Sequence, residues 1–180
     1  MGAIALYRMK PEDKKLVAKA LLSAAKQLEA SKVPVLYHGT TAEALPDILS
    51  GGLNVTYGWG GAGTEGVFLS STKTGALMWA MSSIMSKADE GAEPSRFFRK
   101  HKLEELALLE VCIPEDELAN LKADMEQAED YQYDGEEDDW QASLEQIGDV
   151  RFDKKIPALW LKVVSPQELE AVAAKLGRKP

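Results

Sequence analysis

The chain reads as a single α+β domain, and three observations lead there. Its 180 residues sit near the middle of the single-domain range, enough to bury a core without disulfides or metals. Short apolar or β-branched runs are joined by irregular connections, unlike the strand and helix alternation of a doubly wound sheet. Helical periodicity is unevenly distributed along the chain, and no internal repeat or low-complexity array interrupts it. Residues 1–32 are expected to form a helical extension, 33–164 the core and 165–180 a C-terminal helix.

Pro11-Glu12-Asp13 suits a helix start, because proline fits the first helical position and acidic residues favour the positive end of the dipole. Leu16, Val17, Ala20, Leu21, Ala24, Ala25 and Leu28 continue it as one apolar face. A strand follows over residues 32–38, with Pro34 confining its beginning to a sheet edge or strand start. His38 is expected at its exit. Thr40-Thr41-Ala42-Glu43 has capping-box spacing; Leu45, Ile48 and Leu49 would form the buried face of the next helix, and Gly51-Gly52 would stop it. Residues 57–66 carry five glycines and read as a mobile loop.

Val67-Phe68-Leu69 then reads as a brief strand, and residues 74–87 as a helix bearing Leu77, Trp79, Met81, Ile84 and Met85. The apolar run 106–113, closed by Pro114, reads as a buried strand, and 115–121 as a helical turn. A long acidic excursion including 124–139 leads to Val150-Arg151-Phe152, where strand character resumes; an excursion of that length is functional or mobile. Residues 158–164 form a further expected strand. Ser165-Pro166-Gln167-Glu168 caps a last amphipathic helix reaching about residue 176.

The formal charge of −8 argues against a broad surface for duplex nucleic acid, whose affinity comes from lysine and arginine. The basic cluster at 96–102 and the acidic segment 124–139 read as solvated surface. The lone Cys112 lies in an apolar run and reads as a buried small hydrophobe. Residues 3–7 are apolar but lack a basic leader and a cleavage pattern, and no run is long enough to span a bilayer. A cytoplasmic setting without a membrane partner is expected.

The chemistry-bearing residues gather around Tyr37-His38-Gly39-Thr40. What surrounds this short motif gives it weight: the glycine-ended helix, the glycine-rich stretch, Gly66-Val67-Phe68-Leu69-Ser70-Ser71, a helix with Ala76 and Trp79, and finally Gly148-Asp149-Val150-Arg151-Phe152 with Ile156-Pro157. In this order the chain resembles the ADP-ribosyltransferase family over roughly residues 33–164. The resemblance implies split antiparallel β-sheets around an NAD cleft, with flanking helices and NAD as co-substrate. It also implies three site residues on separate strands, which fall on His38, Phe68 and Asp149.

By the same resemblance His38 bonds a ribose, and the backbone of Gly39 holds the nicotinamide carboxamide, with Thr40 and Ser70 beside them. Phe68, where the family usually has tyrosine, keeps a stacking face without the phenol. Trp79 is either a second stacking aromatic or core packing, and Thr74 either contacts the carboxamide or caps its helix. Asp149 stands where the family usually has glutamate, and its carboxylate would orient a ribose hydroxyl and oppose developing positive charge. Glu110 and Glu145 are rival carboxylates, Glu110 being equally readable as a charge at a sheet edge.

Other chemistries find less support. Two histidines and one cysteine without close spacing give no metal site. Gly58, Gly60, Gly61 and Gly63 form neither a dinucleotide fingerprint nor a phosphate loop, and no nucleophile-elbow serine is present. Two alternatives share the expected fold: a non-catalytic module binding NAD, ADP-ribose or a partner, and an RNA 2′-phosphotransferase. For the latter, Arg96 and Arg99 are imperfect substitutes for the basic residues that grip phosphate. The acceptor, whether protein, nucleic acid or small molecule, is left open.

Overall fold

The computed structural model describes residues 34–57, 65–87, 94–128 and 131–178. The helix expected over residues 11–28 and the middle of the glycine-rich stretch, 58–64, lie outside the described residues. Those described form an α+β arrangement of seven strands and five α-helices, with short 3-10 turns between them.

The strands are β1 (Leu36–Thr41), β2 (Thr56–Tyr57), β3 (Glu65–Ser70), β4 (Leu106–Val111), β5 (Leu121–Ala123), β6 (Asp149–Phe152) and β7 (Leu161–Val163). Six of them lie side by side as one open sheet in the order β5-β6-β3-β1-β4-β7, and β2 adds to β3 outside that row. Every pairing is antiparallel. The helices are α1 (Leu45–Gly51), α2 (Lys73–Lys87), α3 (Pro94–Lys100), α4 (Trp140–Gln146) and α5 (Pro166–Lys175).

Two apolar clusters cover opposite faces of the central strands. Leu106 and Leu108 of β4 join Leu77, Met81 and Met85 of α2, Phe97 of α3 and Leu169 of α5. Leu109 and Val111 join Leu36, Val67, Leu69, Val150 and Phe152 on the other side. A strand buried on both faces needs apolar residues at nearly every position, which explains the near-continuous apolar run in the sequence, broken within β4 at Glu110.

Several boundaries differ from those expected. β1 continues past His38 to Thr41, because Thr40 and Thr41 pair with Ala107 and Leu106 of β4; the ladder takes the residues that had the spacing of a capping box. His38 is therefore inside a strand, not at its exit. α1 starts only at Leu45 and has no buried residue, with Leu49 43% exposed. Its intended core face reduces to Leu45 and Ile48, packed at the margin of the second cluster.

The run 158–164 is a 3-10 turn, Ala158–Trp160, followed by β7. Cys112 is half-buried rather than buried, and burial pushes its thiol pKa up. Phe97 is fully buried and stacks on His101 with 4.8 Å between ring centroids. The basic cluster is thus the flank of a short helix anchored by an aromatic, with Arg99 and Lys100 outward. At the C-terminal helix the Ser165 hydroxyl accepts the Glu168 N–H at 3.3 Å, as its sequence predicts.

The acidic excursion is not a plain solvated loop. It opens with β5, which pairs with β6, and closes with α4, whose Asp139 cap accepts the Ala142 N–H at 3.0 Å. Between them the Glu137 carbonyl accepts the Ala123 N–H at 2.7 Å, while Glu137 and Asp138 form ion pairs with Arg151 and Lys122. Two of its negative charges are thus matched by cations on the adjacent strands.

Candidate functional site

Alternation along β3 and β6 builds the site. Val67 and Leu69 of β3, with Val150 and Phe152 of β6, enter the second core cluster. Successive strand side chains point to opposite faces, so Phe68, Ser70, Asp149 and Arg151 share the face toward α2. There α2 packs chiefly against β1 and β4. Register sets Glu110, Tyr37, Ser70 and Asp149 in one row across β4, β1, β3 and β6.

The ladder between β1 and β3 is brief. Tyr37 pairs with Ser70, but the pairing does not continue to Gly39 and Phe68, which the same register would set opposite each other. In the gap, Nδ1 of His38 lies 2.9 Å from the Phe68 carbonyl oxygen. Burial lowers the His38 pKa, against a smaller opposite effect of that bond, so the ring is neutral at pH 7. A neutral imidazole donating from Nδ1 leaves Nε2 as an acceptor.

Gly39 fits the strand to the helix. A Cβ there would stand 1.9 Å from the Ala76 carbonyl oxygen of α2, closer than any side chain tolerates. Its first role is thus the approach of α2 to β1. Gly148 has φ +92°, a conformation few side chains accept, and its carbonyl takes the Ser71 N–H at 2.7 Å. That turn sets the start of β6, and with it Asp149.

Asp149 is 9% exposed and accepts the indole N–H of Trp79 at 3.0 Å. Burial raises its pKa, while hydrogen bonds from Trp79 and Ser70 lower it. Trp79 is therefore neither free nor core: it is held at the margin of the cleft by Asp149. Thr74 is not the cap of α2; the Thr72 hydroxyl takes the Gly75 N–H at 3.0 Å.

The cavity at the gap has a volume of about 180 Å³. His38, Gly39, Phe68, Ser70 and Trp79 line it together with Tyr37. Three lining residues come from the acidic excursion, which the sequence placed outside the site: Asp124, Glu126 and Gln127. Asp124 is 3% exposed and accepts the Glu126 N–H at 3.1 Å. Burial raises its pKa to about 6, with the charges of Asp149 and Glu126 adding to the rise and Arg151 opposing it.

One oxygen of Glu126, Oε1, is buried without a hydrogen-bond partner. The Ser143 hydroxyl donates to the Asp149 carbonyl at 2.7 Å and accepts the Asp124 N–H at 3.2 Å, tying the two aspartates together. The one sequence signal for these residues is Leu121-Lys122-Ala123, a single apolar, polar, apolar alternation just before Asp124.

A second cavity of about 320 Å³ adjoins the first. His38 and Thr56 line both, and Thr40, Asp47 and Asn54 line the second alone. The rival carboxylates stand elsewhere. Glu110 accepts from Lys162 at 2.7 Å and lies 3.5 Å from Lys73, an ion-paired charge within the sheet. Glu145 is exposed on α4.

Among the described residues no group of three His, Cys, Asp or Glu side chains is placed to hold a metal ion, and no helix is long and apolar enough to cross a membrane. No protein-family model matches the chain, and neither does a curated protein or a solved structure.

Proposed function

We propose that the cleft binds NAD and that the protein is an ADP-ribosyltransferase, breaking the bond between nicotinamide and ribose and passing ADP-ribose to an acceptor. One observation carries this reading: the ladder between β1 and β3 opens after a single pair, and His38, Phe68 and Trp79 converge on the opening. The strands bearing His38, Phe68 and Asp149 are also neighbours in the sheet.

The residues fit the ligand. A neutral His38 with Nε2 as acceptor takes a ribose hydroxyl. Phe68 and Trp79 offer faces to a planar ring, and Asp149 fixes the indole so that its face is presented without loss of rotamer freedom on binding. Two cavities that share His38 and Thr56 as lining residues offer room on either side of His38 for the two ends of an elongated ligand. The NAD glycosidic bond is activated by its positively charged ring, and buried carboxylates beside it counter the positive charge that moves onto ribose.

Calorimetric titration with NAD tests this. The parent protein binds, and His38→Ala weakens binding by about 1–3 kcal/mol, roughly 5- to 150-fold, because a ribose hydroxyl loses its acceptor. A folded His38→Ala protein with parental affinity would remove His38 from the site.

A further inference from the structure

We infer that Asp124 is the carboxylate that meets the reacting centre in the cleft, and that Asp149 is a positioning residue acting through Trp79. The assignment rests on reading the cleft as an NAD site. It departs from the expectation that the third motif residue itself supplies the charge.

The geometry separates the two aspartates. Asp149 already spends one carboxylate oxygen on the Trp79 indole, and both Trp79 and Ser70, the side chains it contacts, line the cavity. Asp124 lines that cavity itself, on the far side from β1, with Glu126 and Gln127 next to it. Its backbone is pinned by Ser143 and one oxygen by the Glu126 N–H, so the carboxylate is set in place before any ligand arrives. The buried Glu126 Oε1, which finds no donor, adds a second acceptor on the same wall. A wall with unsatisfied carboxylate oxygen calls for a ligand bringing positive charge or O–H and N–H donors.

In the reaction with water as acceptor, Asp124 takes the proton of the water whose oxygen bonds to ribose C1′. The bond from C1′ to the nicotinamide nitrogen breaks, and its electron pair leaves with the ring. Products are ADP-ribose, nicotinamide and one proton, which passes from Asp124 to solvent. A carboxyl titrating near 6 is ionised at neutral pH yet more basic than an ordinary aspartate, as a general base requires. The charges facing it are Asp149 and Arg151 from β6 and Glu126 from its own segment.

The test compares Asp124→Asn, Asp124→Glu and Asp149→Asn with the parent in the full-length protein, using NAD and water. Readouts are nicotinamide release against pH and the indole N–H resonance of Trp79. Asp124→Asn keeps an oxygen for the Glu126 N–H; it is expected to lower kcat roughly a hundredfold or more, remove the rise in rate near pH 6 and leave the Trp79 resonance in place. Asp124→Glu recovers part of the rate. Asp149→Asn shifts the Trp79 resonance and raises KM more than it lowers kcat. A parent that cleaves NAD while Asp124→Asn matches it in rate and pH profile overturns the assignment alone. A parent that neither binds nor cleaves NAD overturns the functional reading and the assignment with it.

Discussion

His38 is half-buried and Asp124 buried, and their effects on stability run in opposite directions. The folded protein lowers the His38 pKa, so the unfolded chain binds that proton more readily and stability is lost as pH falls below 6.5. Asp124 is raised from 3.8 to about 6; the folded state then holds its proton more tightly, and the stability gained below 3.8 is lost as pH rises through about 6. The size is on the order of 3 kcal/mol for Asp124, and the raised Asp149 adds in the same direction. Denaturant midpoints across this range test it. Asp124→Asn is expected to flatten the decline with rising pH and be more stable than the parent at neutral pH, where it carries no buried charge. A parent-like slope in the variant would mean that Asp124 titrates as an ordinary carboxyl.

At the scale of elements, the junction of β1, β3 and α2 shapes the site. Gly39 admits the helix against the strand, the helix brings Trp79 over β6, and the unpaired stretch between strands leaves room for His38. Gly39→Ala is expected to cost at least about 1–3 kcal/mol through overpacking, because the obstructing atom is a backbone carbonyl that cannot rotate away. Thermal denaturation measures it, and a variant as stable as the parent would show that α2 does not lie against β1 as described. Long periodic elements were legible in the sequence: α2, the buried β4 and the capped α5 all stand within a few residues of their expected places. β5 and α4 were not. Three residues are too few for alternation to register, and the Asp139 cap was one acid among many. Thr40 and Thr41 misled for another reason, since the same residues suit a helix cap and a β ladder and only tertiary pairing chooses between them.

For the whole molecule, hydrophobic pattern predicted the α+β class because patterning reports which face of each element is buried. The candidate site was legible in part. His38, Gly39, Phe68, Ser70 and Trp79 do line one cavity, while Asp124, Glu126 and Gln127 were hidden because charge composition cannot say which end of an acidic run folds inward. The acidic excursion consequently has two parts, one paired on the sheet with Arg151 and Lys122 and one, Asp124 and Glu126, turned into the cleft. An acidic, aromatic cleft centred on a neutral histidine is the feature from which the proposed chemistry follows. Its most direct test is nicotinamide release from NAD by the purified protein, followed by separation of free ADP-ribose from labelled acceptor. Release that rises with pH through about 6 and is lost in Asp124→Asn is the predicted result. Saturating NAD with no nicotinamide released at any pH from about 5 to 8, with water or any added acceptor, would contradict the account.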